Sequence, residues 1–422
     1  MSRTIFHIDA NSAFLSWTAA DMVERGSRFD PRLIPSVISG RESTRHGIVL
    51  AKSIPASRCG IKTGEPLHLA KKKCPELVVL PMSDNIYAQK SIDFYNLLLN
   101  FSPSVEQFSV DECFVDYSDM ERFYGNPYEC AKAISKAVKD NLGFTVNVGI
   151  STNKLLAKMA SDFEKPDRIH ELYPYMIKDK MWPLPVGDLF SVGKKTASKL
   201  NKAGILRIGD LAKASPESLR PILKSSAEIL IAAANGLDLS EVKTEVSPPK
   251  SMSMSYTTPR DVNTYEDTRT YLITLCEKLC VRLREKNLTA SGVTVNLFSR
   301  ERVENTHQNT IIGHSNCTYT LVNTACELLT EMWTKTPIRR VGVAFWGLKS
   351  DKVIQNNVWT GAKEVVWNTF DDAADDVRRR FGESVLMPCS TLHNSAHNNT
   401  KIVAFSPEFS LSTIRNNNVK NA

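Results

Sequence analysis

Residues 108–117 read Phe-Ser-Val-Asp-Glu-Cys-Phe-Val-Asp-Tyr, an apolar strand-like run that carries two adjacent carboxylates, Asp111 and Glu112. Charge where the pattern calls for burial is costly unless basic side chains or metal ions compensate it. A second short strand candidate, residues 3–9, also ends on a carboxylate, in Ile8-Asp9-Ala10. If the two strands are neighbours, Asp9 and Asp111 project from one sheet edge and Glu112 reaches around from a twisted strand end. Three carboxylates and the Ala10 carbonyl form a hard oxygen donor set suited to Mg²⁺. Two such ions can lower the pKa of an attacking hydroxyl and neutralise a leaving pyrophosphate. Capping of a strand end, or pairing with local lysines, would account for the same residues, and spacing alone leaves both readings open.

The rest of the chain bounds the answer. Its 422 residues allow three or four modules, and 42% hydrophobic with 23% charged residues is the composition of an ordinary folded protein. A net charge of +7 leans toward an anionic partner. The N-terminus has no apolar core of signal-peptide length, and no run approaches the roughly 18 apolar residues of a membrane span, so a cytoplasmic chain with no membrane association is expected. Nine cysteines are scattered without a CxxC pair. Cys276 and Cys280 share a helix face and read as small core residues rather than a metal or redox pair.

Helical patterns are expected at residues 12–24, 87–100 and 127–141, the last with Ala131, Ile134 and Val138 on one face, and strands at 105–117 and 145–150. Residues 31–80, rich in Gly, Pro and Lys with a strand candidate at 47–51, suggest a small subdomain with a basic surface. After a boundary near Lys165-Pro166, short helices broken by Pro183, Gly187, Gly193, Gly204 and Pro216 run to about Asn235, and Ser247-Pro248-Pro249-Lys250 reads as a linker. Thr264 with Asp267 can cap a helix bearing Leu272, Leu275, Cys276, Leu279 and Leu283. Val293, Val295 and Leu297 then alternate as a strand, Val322, Ala325, Cys326, Leu329 and Trp333 recur at helical spacing, and Val341, Val343 and Phe345 alternate again. That order predicts an α+β module of split βαβ type. The tail carries one helix candidate at 371–381 and an Asn-rich end expected to be disordered.

Four blocks carry a resemblance that spans nearly the whole chain. They are Phe-His-Ile-Asp9-Ala-Asn-Ser-Ala-Phe14; Ser109-Val-Asp111-Glu112 with Cys-Phe-Val-Asp116; Val148-Gly-Ile-Ser-Thr-Asn-Lys154-Leu-Leu-Ala-Lys158-Met-Ala-Ser-Asp-Phe-Glu-Lys165-Pro166; and Ser191-Val-Gly193-Lys-Lys-Thr196. The sequence resembles the Y-family translesion DNA polymerases of the DNA polymerase IV type. The resemblance implies an α+β multidomain right-hand polymerase: palm 1–19 and 79–167, fingers 20–78, helix-hairpin-helix thumb 168–240, linker 241–249, split βαβ little finger 250–350, and tail 351–422.

The resemblance also implies roles. Asp9, Asp111 and Glu112, with the Ala10 carbonyl, would bind two catalytic Mg²⁺ ions, and Phe14 would be the steric gate under the incoming sugar. Lys165 would meet the triphosphate as a mobile point charge. Where family members often carry a Tyr and an Arg for the same phosphates, Ile54 and Ser57 stand here, leaving Lys52 and Arg58 to compensate. Val192, Gly193, Lys194 and Lys195 would hold a DNA phosphate in the hairpin. Arg282, Arg284, Lys286, Arg300, Arg302, Arg339 and Arg340 would track the duplex backbone, and Gln355, Val358 and Trp359 would form a sliding-clamp peptide. The implied function is template-directed, low-fidelity addition of dNMP to a primer 3′-hydroxyl by a monomer that binds primer-template DNA and dNTP and lacks proofreading. A catalytically silent DNA-binding accessory of the same fold is the main alternative, and a palm-type cyclase, which would ignore DNA, a more distant one.

Overall fold

The computed structural model describes residues 3–40, 47–245, 247–351, 361–382 and 385–386, in two compact units that divide between Glu245 and Ser247. The clamp-peptide residues Gln355, Val358 and Trp359 and the Asn-rich end lie outside the described residues.

The first unit opens with β1 (Ile5–Ala10), buried at every position, and turns through Asn11 and a left-handed Ser12 into α1 (Ala13–Glu24). A three-stranded sheet follows, in which β2 (Ser36–Ser39) lies between β3 (Val49–Lys52) and, after α2 (Ile54–Arg58) and α3 (Leu67–Lys73), the parallel strand β4 (Val78–Pro81). Next come α4 (Asp84–Leu99), β5 (Val105–Gln107), β6 (Glu112–Asp116), α5 (Glu121–Tyr124), α6 (Pro127–Leu142), β7 (Val146–Ser151), α7 (Lys154–Ser161) and β8 (Ile169–Glu171). Their strands form a five-stranded sheet in the order β5-β6-β1-β7-β8, with β1 central and antiparallel to both neighbours. Central placement explains why β1 is buried on both faces, and why its terminal carboxylate must find a partner inside the protein.

Two expected boundaries shift. Val79, Leu80 and Pro81, assigned from sequence to the second palm segment, pair with β2 of the small sheet, and α1 runs unbroken through the boundary placed after residue 19. The third is blurred by α7: its Leu156, Met159 and Ala160 pack in one core with Leu200, Ile208, Leu211, Leu219 and Leu230 of the helices that follow. Those helices are α8 (Lys194–Lys202), α9 (Ile208–Lys213), α10 (Pro216–Leu223) and α11 (Ser226–Ala234).

The second unit runs β9 (Ser251–Val262), α12 (Tyr265–Glu285), β10 (Leu288–Ser299), β11 (Glu304–Ser315), α13 (Thr318–Met332), β12 (Ile338–Trp346), β13 (Lys349–Ser350) and α14 (Gly361–Phe381). Its main sheet is antiparallel, in the order β11-β10-β12-β9, and the β-α-β-β-α-β sequence of elements is the split βαβ type expected from the sequence. Thr264 caps α12 by accepting the Asp267 N–H at 3.1 Å, as its spacing predicts.

Arg284 departs from its expected place along a DNA backbone. Its guanidinium is 11% exposed and donates to Asp375 at 2.7 Å, Asp371 at 3.2 Å, and the Asn316 carbonyl and Thr318 hydroxyl at 3.0 Å each, anchoring α14 to α12 and α13. Removing one partner of a buried ionic cluster leaves uncompensated charge. Arg284→Ala is therefore expected to destabilise this unit by about 3–5 kcal/mol, read as a lowered melting transition of the full chain. An unchanged melt would show that α14 is held by its apolar face alone.

Candidate active site

Antiparallel pairing of β1 with β6 sets Asp9 directly opposite Glu112, and the Ala10 N–H donates to the Asp111 carbonyl at 3.0 Å. The three carboxylates expected from sequence thus come to one sheet edge. Each is drawn to its own partner. Lys165 donates to Asp9 and, at 2.7 Å, to Asp162; Lys158 donates to Glu112 at 2.5 Å; the Ser109 hydroxyl donates to Asp111 at 2.6 Å. Lysines thus stand beside two of the three carboxylates, Asp9 and Glu112, while among the described residues Asp111 has only a hydroxyl.

Asp9 is 8% exposed. Burial is the main force on its carboxyl and pushes the pKa up to about 6, with Lys165 pulling it down and the neighbouring Glu112 and Asp111 charges pushing it further up. On Lys165, burial opposes the charge, and Asp9 and Asp162 outweigh it, so its pKa lies above the usual lysine value.

Behind this edge, α7 supplies cations to a buried interior. Lys154 donates to Glu106 at 2.7 and 2.8 Å, and Lys158 also lies over the rings of Phe108 and Phe190, 5.3 and 5.4 Å from their centroids. His7 sits fully buried with Nδ1 2.7 Å from the Ser161 hydroxyl. Burial first, then Lys158, Lys165 and Lys154, holds its pKa well below the ordinary histidine value, so it is neutral. Asn11 ties the strand ends together: its amide donates to Asn147 at 3.0 Å, and its carbonyl oxygen accepts from Thr145 at 3.0 Å and the Asp167 N–H at 2.9 Å. Sequence reasoning assigned no role to Lys158, His7, Asn11 or Ser109. The one signal was the Lys154/Lys158 pair, four apart on a helix buried at every residue, which demands partners without naming them.

Phe14 is half-buried on α1, its ring 4.7 Å from that of Tyr87. Lys52 reaches the Ser57 hydroxyl at 3.0 Å, while Ile54 is exposed and Arg58 projects from the end of α2. In the hairpin, Ser191 takes φ +75, the left-handed turn that a glycine would adopt without strain, and Gly193 caps α8 so that Lys194 and Lys195 stand exposed in its first turn. Val192 is buried, and the segment before the turn is a single 3₁₀ turn, Val186–Asp188, rather than a full first helix. Arg339 and Arg340 are half-buried on β12; Arg340 lies over the Phe298 ring at 4.9 Å and 3.6 Å from Glu304.

Residues 8–162 match the impB/mucB/samB family, residues 249–358 the C-terminal domain of that family, and residues 175–205 the IMS family HHH motif. The DNA polymerase IV of Clostridium acetobutylicum is 42% identical over 387 residues, covering 92% of this chain and 98% of its own. DNA polymerase IV 1 of Bacillus subtilis is 31% identical over 413 residues, 97% of each chain. A Y-family DNA polymerase chimera of Dbh and Dpo4 matches in fold with a TM-score of 0.70 at 22% identity, over 81% of this chain and 98% of that one. Among the described residues no helix is long and apolar enough to cross a membrane. Similarity along the full length of these relatives places the molecule: the chain belongs to the impB/mucB/samB family of Y-family DNA polymerases, as a DNA-directed DNA polymerase of the DNA polymerase IV type.

Proposed function

We propose that this polymerase extends a primer 3′-hydroxyl by template-directed addition of dNMP, with low fidelity and without proofreading, in translesion synthesis. The observation that carries the reading is the edge where Asp9, Asp111 and Glu112 meet, crowded enough that burial and mutual repulsion raise the Asp9 pKa. Hard oxygen donors that repel one another fit divalent cations, Mg²⁺ first. Asp9, Asp111, Glu112 and the Ala10 carbonyl would hold two of them, which when bound supply activation of the hydroxyl and neutralisation of the pyrophosphate.

The protein's own groups do the rest. Lys165, 38% exposed on its side chain, can leave Asp9 for the phosphates of a nucleotide, whereas the less exposed Lys158 stays on Glu112 and fixes its carboxylate. Lys52, oriented by Ser57, and Arg58 offer further charge to the phosphates, in place of the Tyr and Arg that Ile54 and Ser57 displace. Lys194, Lys195, Arg339 and Arg340 are assigned to the DNA backbone, and Gln355, Val358 and Trp359 to a sliding clamp. The sheet β3-β2-β4 with its two short helices is a small subdomain, and its small size supports tolerance of distorted templates.

Primer extension on an undamaged template with Mg²⁺ and four dNTPs tests the reading. Stepwise extension dictated by the template is the expected result; DNA binding without extension would favour the accessory reading that Ile54 and Ser57 support. Phe14, braced on Tyr87, would exclude a 2′-hydroxyl by bulk. Phe14→Ala is expected to raise ribonucleotide incorporation relative to deoxyribonucleotide about 10²-fold, the scale on which shape alone rejects an added hydroxyl. An unchanged ratio would assign sugar selection to another residue.

A further inference from the structure

We propose that Cys59, Cys74 and Glu76 form a binding site for a thiophilic divalent cation of the Zn²⁺ class, separate from the catalytic carboxylates. Cys59 ends α2 and Cys74 ends α3, while Glu76 lies in the turn that leads to β4. Fifteen positions separate the two cysteines, so spacing gives no warning of a pair. The fold nevertheless brings both sulfurs and a carboxylate oxygen within 4.8 Å of one another.

Three features suit this place to a cation. Both helices point their C-terminal ends at it, the ends that carry partial negative charge. Lys73, next to Cys74 in the chain, is directed elsewhere: it donates to the Gly60 carbonyl at 2.9 Å and to Glu65 at 2.6 Å, which ties the turn after Cys59 to the end of α3. Access is graded, with Cys74 1% exposed in a core with Val37, Ala56, Leu67, Ala70 and Leu77, Cys59 half-buried, and Glu76 open to solvent.

As plain core residues the two cysteines would need no carboxylate beside them. Two sulfurs and one oxygen select a borderline-soft ion and leave a fourth tetrahedral position for water, whereas the all-oxygen donors of Asp9, Asp111 and Glu112 select a hard one. Binding forms two metal–sulfur bonds and one metal–oxygen bond and releases the two thiol protons to solvent. The subdomain core around Cys74 is small, and a bound ion would staple it where apolar burial is limited.

The test uses Co²⁺ as a spectroscopic probe on the reduced, chelator-stripped full chain, with excess Mg²⁺ to fill hard-oxygen sites. Expected are one equivalent of Co²⁺ with an intense sulfur-to-metal charge-transfer band, its displacement by Zn²⁺, loss of the band in Cys59→Ser, and an affinity about a hundredfold weaker in Glu76→Gln, about one ligand's share of a zinc site. Both substitutions avoid the buried Cys74, and an unaltered far-UV spectrum confirms that each variant folds. Zn²⁺ should also raise the melting midpoint of the wild type and not that of Cys59→Ser. Absence of the band in the folded wild type, or a band undiminished in Cys59→Ser, overturns the site. So does oxidation to a Cys59–Cys74 disulfide by a protein that takes up no metal when reduced.

Discussion

Asp111→Ala is expected to lower primer extension by at least about 10³-fold while leaving primer-template binding within a few-fold of wild type. The backbone and the side chain of Asp111 do separate things. The backbone carbonyl accepts the Ala10 N–H at 3.0 Å and holds the approach to β6 against β1, a link that survives truncation to alanine. The side chain is half-buried and, in the described structure, accepts only a short hydrogen bond from Ser109, so its removal takes one negative charge from the edge and little else. Folding stability should change by no more than about 1 kcal/mol, the net value of one such hydrogen bond. Asp9→Ala would be a less clean experiment, because it also strands Lys165 with Asp162 as its remaining partner. Extension retained above about a tenth of wild type would place the chemistry away from this edge. Loss of DNA binding together with extension would show instead that the charge organises the fold.

The sequence carried the meeting of Asp9, Asp111 and Glu112 through the family resemblance; its own pattern offered two strand-like runs with charged ends, and only the pairing of β1 with β6 makes them neighbours. It could not carry the partners. Lys158 and Lys165 lie at positions where a helix or loop lysine is ordinarily solvated; the packing of α7 on β1 and β7 turns Lys158 toward Glu112, and the loop after α7 brings Lys165 to Asp9. Strand β9 was legible and missed: Met252, Met254, Tyr256 and Thr258 alternate and are buried, but they follow directly on a proline-rich linker. The edge strand β11 was not legible, since Asn305, Thr306, His307 and Gln308 bury no apolar face and leave no alternation to read. Arg284 shows the same limit for charge. On α12 it follows an apolar face that any solvated arginine could border, and its burial depends on Asp371 and Asp375 from a helix some 90 positions away.

Gly149→Ala should unfold the first unit far more readily than its single methyl suggests. Gly149 lies on β7 opposite His7 of β1, and an added Cβ would stand 1.9 Å from the Ala157 carbonyl oxygen and 2.5 Å from the Ser161 nitrogen, both backbone atoms of α7. A flexible side chain could yield; a helix backbone cannot without moving the whole helix. That helix brings Lys158 to Glu112, Lys154 to Glu106 and Ser161 to His7, and its other face, through Leu156 and Met159, enters the core shared with α8 to α11. Displacement therefore loosens apolar packing and leaves buried charges without partners at once, two effects that add. A loss of about 4 kcal/mol or more is expected, read as a fall in the denaturant midpoint. Any folded fraction should extend primers poorly, because Glu112 would no longer be held. Gly193→Ala is the matched control: nothing lies within 4 Å of its Cβ, φ is −75, and the change should stay below about 1 kcal/mol. Equal midpoints for the two variants would mean that α7 has room to shift, and the lysines it carries would then be replaceable counter-charges rather than fixed parts of the site.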